Sequence, residues 1–152
     1  MSTGKSVAIN RKARFQYEVL EKFEAGLVLL GTEIKAIREG HANLSDAYAR
    51  PDDGEVWLFN AHIAQYSASG VNSHEPKRTR KLLLHKEQIE YLSTEVLAKR
   101  LTLIPLRIYF KRHLVKVELG LARGRNQQDK RRALIEKERE KEARDALSGN
   151  LG

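Results

Sequence analysis

Leu106-Arg-Ile-Tyr-Phe-Lys-Arg-His-Leu-Val-Lys-Val-Glu-Leu119 is the stretch that decides the fold. Leu106, Ile108 and Phe110 alternate with Arg107, Tyr109 and Lys111, which is the two-residue period of a strand. Lys111-Arg-His113 makes a turn, after which Val115, Val117 and Leu119 alternate with Lys116 and Glu118. Two antiparallel strands joined this tightly belong to a hairpin architecture.

Further hairpin material lies upstream. Phe15, Tyr17 and Val19 alternate with Gln16, Glu18 and Leu20, and the strand is expected to resume over Gly26–Leu30. Gly26 inside it predicts a bulge or a close backbone approach. Thr32–Glu39 reads as a short helix with Thr32 as its cap, Ile34 and Ile37 on one face and Gly40 as its stop. Strands are expected around Ser45–Ala49 and Val56–Ala64, joined by the turn Pro51-Asp-Asp-Gly54. Ser67–Pro76 reads as a mobile loop. Ile89, Leu92, Val96 and Leu97 keep helical spacing, predicted as two short helices broken near Ser93. The sum is a mainly β chain: a small closed antiparallel β-barrel of about six strands with two or three short helices. The expected organisation is a disordered N-terminus over 1–8, a barrel domain over 9–122 and a charged tail over 123–152.

The chain has 152 residues and a net charge of +8, with an isoelectric point near 9.8. A basic balance of this kind fits nucleic acid or an anionic surface. There is no cysteine, which removes disulfides and thiolate metal sites and fits a reducing compartment. The first residues lack the apolar centre of a signal peptide, and the run Leu27-Val-Leu-Leu30 is far too short to span a bilayer. A soluble cytoplasmic protein without a membrane partner is expected.

Catalytic and cofactor signals are missing. Histidines 41, 62, 74, 85 and 113 stand at no metal-ligand spacing, Gly124-Arg-Gly lacks the features of a phosphate loop, and no nucleophile elbow occurs. Asp52-Asp53 reads as a turn rather than an acid–base pair, and Trp57 as core. No enzyme, metal or cofactor is expected. The basic clusters say more: Asn10–Arg14, Lys35 with Arg38, and Lys77–Lys81 flank the barrel elements. Phosphate contacts need positive charge without strict spacing, so the clusters indicate a polyanion.

The tail has two halves. Arg123, Arg125, Lys130, Arg131 and Arg132 oppose only Asp129, whereas Glu136 to Asp145 mixes both signs. No apolar residue occurs between Ile135 and Ala143, so no core-facing stripe exists. Such a tail is expected to be disordered alone and helical when bound.

Together these segments resemble the small protein B family, the SsrA-binding proteins of bacterial trans-translation. The matching stretches are Asn10-Arg-Lys-Ala-Arg14, Phe23-Glu-Ala-Gly-Leu27, Gly31-Thr-Glu-Ile-Lys35, Ala42-Asn-Leu-Ser-Asp46, Pro76–Leu84 and Asp129-Lys-Arg131. They follow the family's order across most of residues 9–131. The resemblance implies an oligonucleotide-binding-type barrel that binds the tRNA-like domain of transfer-messenger RNA and aids its alanylation. It further implies delivery of that RNA to stalled ribosomes, with alanyl-tRNA synthetase and elongation factor Tu engaged through the RNA, and no catalysis by the protein itself.

Carried over by position, Asn10, Arg11 and Lys12 match an RNA-contacting segment, with Arg14 in the same cluster. Glu24 matches an acidic residue needed for RNA binding and Leu83 an apolar one. Lys35, Arg38, Arg78, Arg80 and Lys81 fit the basic surface. Arg123, Gly124, Arg125, Gln128, Asp129, Lys130, Arg131 and Arg132 match the ribosome-contacting tail. The family's two lysines after the glycine are Arg125 and Asn126 here, and its aromatic or His before the aspartate is Gln128. A different reading of the same residues is a structural ribosomal-RNA-binding protein with a basic extension.

Overall fold

The hairpin around Arg112 and His113 is the spine of the structure. A computed structural model describes residues 5–66, 73–125 and 127–147. Strand β8 (Thr102–Lys111) pairs with β9 (Leu114–Gly124) from Thr102↔Ala122 to Lys111↔Leu114. Arg112 and His113 take φ of 51° and 69°, the left-handed pair that a two-residue hairpin needs to match strand twist. Pro105 sits at a register shift in β8, where its missing N–H leaves no gap in a ladder.

The elements before the hairpin are β1 (Ser6–Ile9), α1 (Arg11–Gln16), β2 (Tyr17–Leu27), α2 (Gly31–Arg38), β3 (Ala42–Asn43), β4 (Tyr48–Asp52), β5 (Glu55–Phe59), β6 (His62–Ile63), β7 (Arg80–Leu83) and α3 (Lys86–Lys99). After it comes α4 (Gln127–Leu147). The sheet runs β1-β8-β4-β5-β7-β2-β9, and the β8–β9 pairing closes it into a ring with β1 appended. The barrel is therefore closed and antiparallel, as expected. One edge of β8 is shared: β4 meets it at Ala49↔Leu103 and β1 at Arg107 to Tyr109. Ser6–Ile9 thus extends a sheet, although most of it falls within the stretch expected to be disordered. Residues 1–4 of that stretch, and 67–72 of the expected mobile loop, lie outside the described residues.

Leu119, Val117, Ile108, Leu103, Leu58 and Leu82 fill the barrel and are at most 1% exposed. Each such side chain contributes about 1.5–3 kcal/mol when buried. Among the described residues no helix is long and apolar enough to cross a membrane.

Several boundaries differ from the sequence expectation, each for a local reason. The Asn10 side chain accepts from the Ala13 N–H at 3.2 Å and starts a helix, so β2 begins at Tyr17 rather than Phe15. The bulge in β2 falls between Val19 and Glu21. Gly26 instead serves the close approach: a Cβ there would lie 3.3 Å from the Leu83 Cβ. Thr32 does not cap α2; the Leu30 N–H donates to the Glu33 carboxylate at 2.8 Å. The Asn43 side chain accepts from Ser45 N–H at 2.8 Å, a turn that delays β4 to Tyr48. Helix α3 is continuous, because Ser93 and Thr94 donate to the carbonyls of Ile89 and Glu90 at 2.8 and 3.0 Å without breaking it.

Trp57 is half-buried on the outer side of β5, between Val56 and Leu58, which are both 0% exposed. Strand alternation puts it outside the core where sequence reading placed it. The β4–β5 turn has Asp53 at φ 51° and Gly54 at φ 77°. Gly54→Ala should cost about 1 kcal/mol through the left-handed penalty. A lowered thermal midpoint would register it; an unmoved midpoint would contradict the strain argument.

Candidate nucleic-acid interface

Strand register assembles one polar face on the outside of the barrel. Glu24 of β2 stands opposite Glu118 of β9, and Glu118 opposite Arg107 of β8. One step along, Gly26 faces Lys116 and Lys116 faces Tyr109. The alternate residues Ala25, Val117 and Ile108 point into the core. The Tyr109 hydroxyl donates to Glu24. Lys111 Nζ reaches the same carboxylate at 3.1 and 3.3 Å. The Arg107 guanidinium lies 4.2 Å from the Tyr109 ring centroid and 3.5 Å from the Glu118 carboxylate, and donates to the Ser6 hydroxyl at 3.0 Å. Leu83 stands over Gly26 and is 51% exposed.

The electrostatics follow from these contacts. The Tyr109 hydroxyl lowers the Glu24 pKa from its ordinary value; slight burial opposes this and Lys111 adds to it. Tyr109 is pushed up, first by burial and then by its bond to Glu24. The face thus offers an ionised carboxylate among cations, with an apolar side chain alongside. A carboxylate accepts from base N–H groups or a ribose 2′-hydroxyl, and ammonium groups take phosphates.

Glu24 and Leu83 are the two residues of this face singled out in the sequence. Arg107, Lys111, Lys116 and Glu118 were missed. Their signal was present in the alternation itself, which puts Arg107, Tyr109 and Lys111 on one side of a strand.

The N-terminal cluster divides. Arg11, Lys12 and Arg14 are exposed on α1. Lys12 pairs with Asp46 at 3.8 Å, an open surface contact of small energetic weight. Asn10 is a correction: it is 6% exposed, its oxygen caps α1, and its Nδ2 donates to the Pro105 carbonyl at 2.9 Å. Its amide is committed to the fold, so it acts by holding α1 against β8.

The basic run of β7 divides the same way. Lys81 is half-exposed and pairs with Glu55 at 3.3 Å. Arg80 is 0% exposed and does not belong to a basic surface. Strand alternation turns Arg80 and Leu82 inward and Lys81 and Leu83 outward. Inside, Arg80 donates to Glu33 Oε2 at 2.7 Å, to Ala61 O at 2.7 Å and to Pro76 O at 3.0 Å. Arg78, partly exposed, grips the same carboxylate through both Nε and Nη2, at 3.2 and 2.8 Å. His74 is buried beside this group; its Nε2 donates to Ile63 O at 2.8 Å, which leaves Nδ1 for the Thr32 hydroxyl, also at 2.8 Å. Lys35 and Arg38 are exposed on α2, 5.4 Å from the Tyr66 ring and 5.7 Å from the Phe110 ring.

At the far end of β9, Arg123 pairs with Glu18, and Gly124 still faces Tyr17. Arg125 docks on the α1–β2 junction: its N–H donates to Gln16 O at 2.9 Å and its Nε to Tyr17 O at 3.2 Å. The sheet therefore continues into the segment assigned to the tail. Helix α4 follows and approaches α1 to within 8 Å between Cα atoms. The backbone of Gln128, Asp129, Lys130, Arg131 and Arg132 is helical, and their side chains lie outside the described residues. From Leu134 to Arg144 every side chain is exposed.

Known proteins share this chain's sequence and shape. A family model described as "SmpB protein" matches residues 7–149. The SsrA-binding protein of Mycolicibacterium smegmatis is 52% identical over 141 residues, covering 93% of this chain and 88% of the relative. That of Carboxydothermus hydrogenoformans is 48% identical, covering 94% and 96%. A chain in the solved structure described as "tmRNA-SmpB: a journey to the center of the bacterial ribosome" superposes with a TM-score of 0.67 at 45% identity, covering 83% of this chain and 92% of that one. The match spans the barrel, the polar face of β2, β8 and β9, and the tail, and on it the chain belongs to the SmpB protein family.

Proposed function

We propose that this protein is the RNA-binding adaptor of trans-translation in the bacterial cytoplasm. It binds the tRNA-like domain of transfer-messenger RNA, aids its alanylation, and delivers it to stalled ribosomes for rescue and tagging of the nascent peptide. The protein binds and positions, and performs no chemistry of its own. Alanyl-tRNA synthetase and elongation factor Tu are reached through the RNA.

The observation that carries this reading is the family match over residues 7–149, joined to a face where Glu24, Leu83, Lys111 and Lys116 stand together. RNA contacts are assigned to Glu24 and Leu83 on that face, to Arg11, Lys12 and Arg14 on α1, and to Lys35, Arg38, Arg78 and Lys81 nearby. Arg123, Gly124, Arg125, Gln128, Asp129, Lys130, Arg131 and Arg132 are assigned to the ribosomal end, with Arg125 at its docked origin.

Purification from the host at moderate salt, followed by sequencing of the RNA that accompanies the protein, tests the reading. Transfer-messenger RNA should dominate the recovered RNA. Ribosomal RNA without it would favour a structural ribosomal protein and reject the adaptor.

A further inference from the structure

Glu24 is an exposed carboxylate held from two sides, by Tyr109 and Lys111. Its side chain is 36% exposed, and a glutamate at such a position ordinarily samples many rotamers. Here the Tyr109 hydroxyl fixes one oxygen. The Tyr109 ring is 2% exposed although it points outward, because Arg107 covers it and Glu24 closes over its hydroxyl. Arg107 is tied in turn to Glu118 and Ser6. The groups around the carboxylate are thus Tyr109, Lys111 and Arg107 from β8, and Lys116 and Glu118 from β9. Of its holders, Lys111 is an exposed ammonium on a flexible stem, while Tyr109 is rigid.

We propose that Tyr109 is a positioning residue for RNA recognition: its hydroxyl holds the Glu24 carboxylate in one orientation, leaving the remaining lone pairs outward for N–H or O–H donors of the RNA. This rests on the function proposed above and adds to it a residue that touches no RNA. The bond also favours the charged form, since it acts to lower the Glu24 pKa. An acceptor fixed before binding loses less freedom when the RNA arrives.

The test is a double-mutant cycle of Tyr109→Phe and Glu24→Ala, read as affinity for a transcribed tRNA-like domain of transfer-messenger RNA. Tyr109→Phe should weaken binding about ten-fold, the effect of losing a hydrogen bond to a charged group. In the Glu24→Ala background, where no acceptor remains for the hydroxyl, the same change should do nothing further. Independent, multiplying losses would assign Tyr109 to packing alone and overturn the proposal. A carbon-13 titration gives a readout that packing would not move: the Glu24 midpoint should rise in Tyr109→Phe, and an unmoved midpoint also overturns it. If that variant fails to fold, the wild-type chain with labelled tyrosine answers instead. Its Tyr109 ring resonance must move as Glu24 protonates, and a flat response rejects the bond. Failure of the wild-type chain to bind the RNA fragment would overturn the adaptor function, and this proposal with it.

Discussion

Glu33→Ala should destabilise the fold by about 3–5 kcal/mol, the effect of leaving a buried charge without its partner. Glu33 and Arg80 are both 0% exposed. The Glu33 carboxylate accepts from Leu30 N–H, from Arg78 twice and from Arg80. Its removal leaves the Arg80 guanidinium, among the described residues, with the carbonyls of Ala61, Glu75 and Pro76. Urea unfolding of the two chains measures the difference, and a loss under about 1 kcal/mol would sink the argument. Replacing Glu33 and Arg80 together by leucine should recover part of the loss, because the fully buried charge is then gone and only the partly exposed Arg78 is left without its partner.

The same pair gives a pH dependence. Burial raises the Glu33 pKa, but Arg78, the Leu30 N–H and Arg80 outweigh it, and the carboxyl lies below its ordinary 4.5. A depressed carboxyl contributes stability that is fully present above the unfolded value and is lost as pH falls through the folded one. Wild-type stability should therefore drop as pH falls below about 4.5, and the Glu33→Ala chain should lack that component.

Deleting the chain from Gln128 onward should leave RNA affinity within about two-fold while abolishing peptide tagging. Strand β9 ends at Gly124 and Arg125 docks on Gln16 and Tyr17, so the barrel keeps its closure without α4. The described side chains of α4 contribute nothing to the buried core. The deleted segment holds seven basic and six acidic side chains, so its loss changes the net charge by only one and long-range attraction of RNA hardly alters. Affinity for the tRNA-like domain and tagging in reconstituted translation are the two measurements. A parallel fall in both would show that the tail and the barrel bind the same RNA together, against the division of labour proposed here.

How far the sequence could be read depends on the range of the interactions involved. The β8–β9 hairpin is local: its alternation and its turn lie within neighbouring residues, and both were legible. The start of α1 was not, because one capping amide at Asn10 overrode a strand-like alternation that is real only from Tyr17 onward. Ser93 was read as a break because hydroxyls compete with the helix, whereas here Ser93 bonds back to Ile89 and the helix continues. Arg80 was assigned to the surface with its basic neighbours, since composition carries no parity; only the register of β7 shows which side chains turn inward. Glu24 and Leu83 came from resemblance, but their grouping needed the pairing of β2 with β7 and β9. The bond from Tyr109 joins positions 85 residues apart and was beyond any local pattern.

The docking of Arg125 gives the tail a fixed origin. With a rise of 1.5 Å per residue, the 21 residues of α4 span about 32 Å. On the adaptor function proposed above, the helix acts as a gauge. Once RNA has seated the barrel, whatever the far end of α4 touches must lie about three nanometres from the junction of α1 and β2. Recognition at the two ends is coupled through length, and a ribosome that leaves that span blocked excludes the helix however well its charges match.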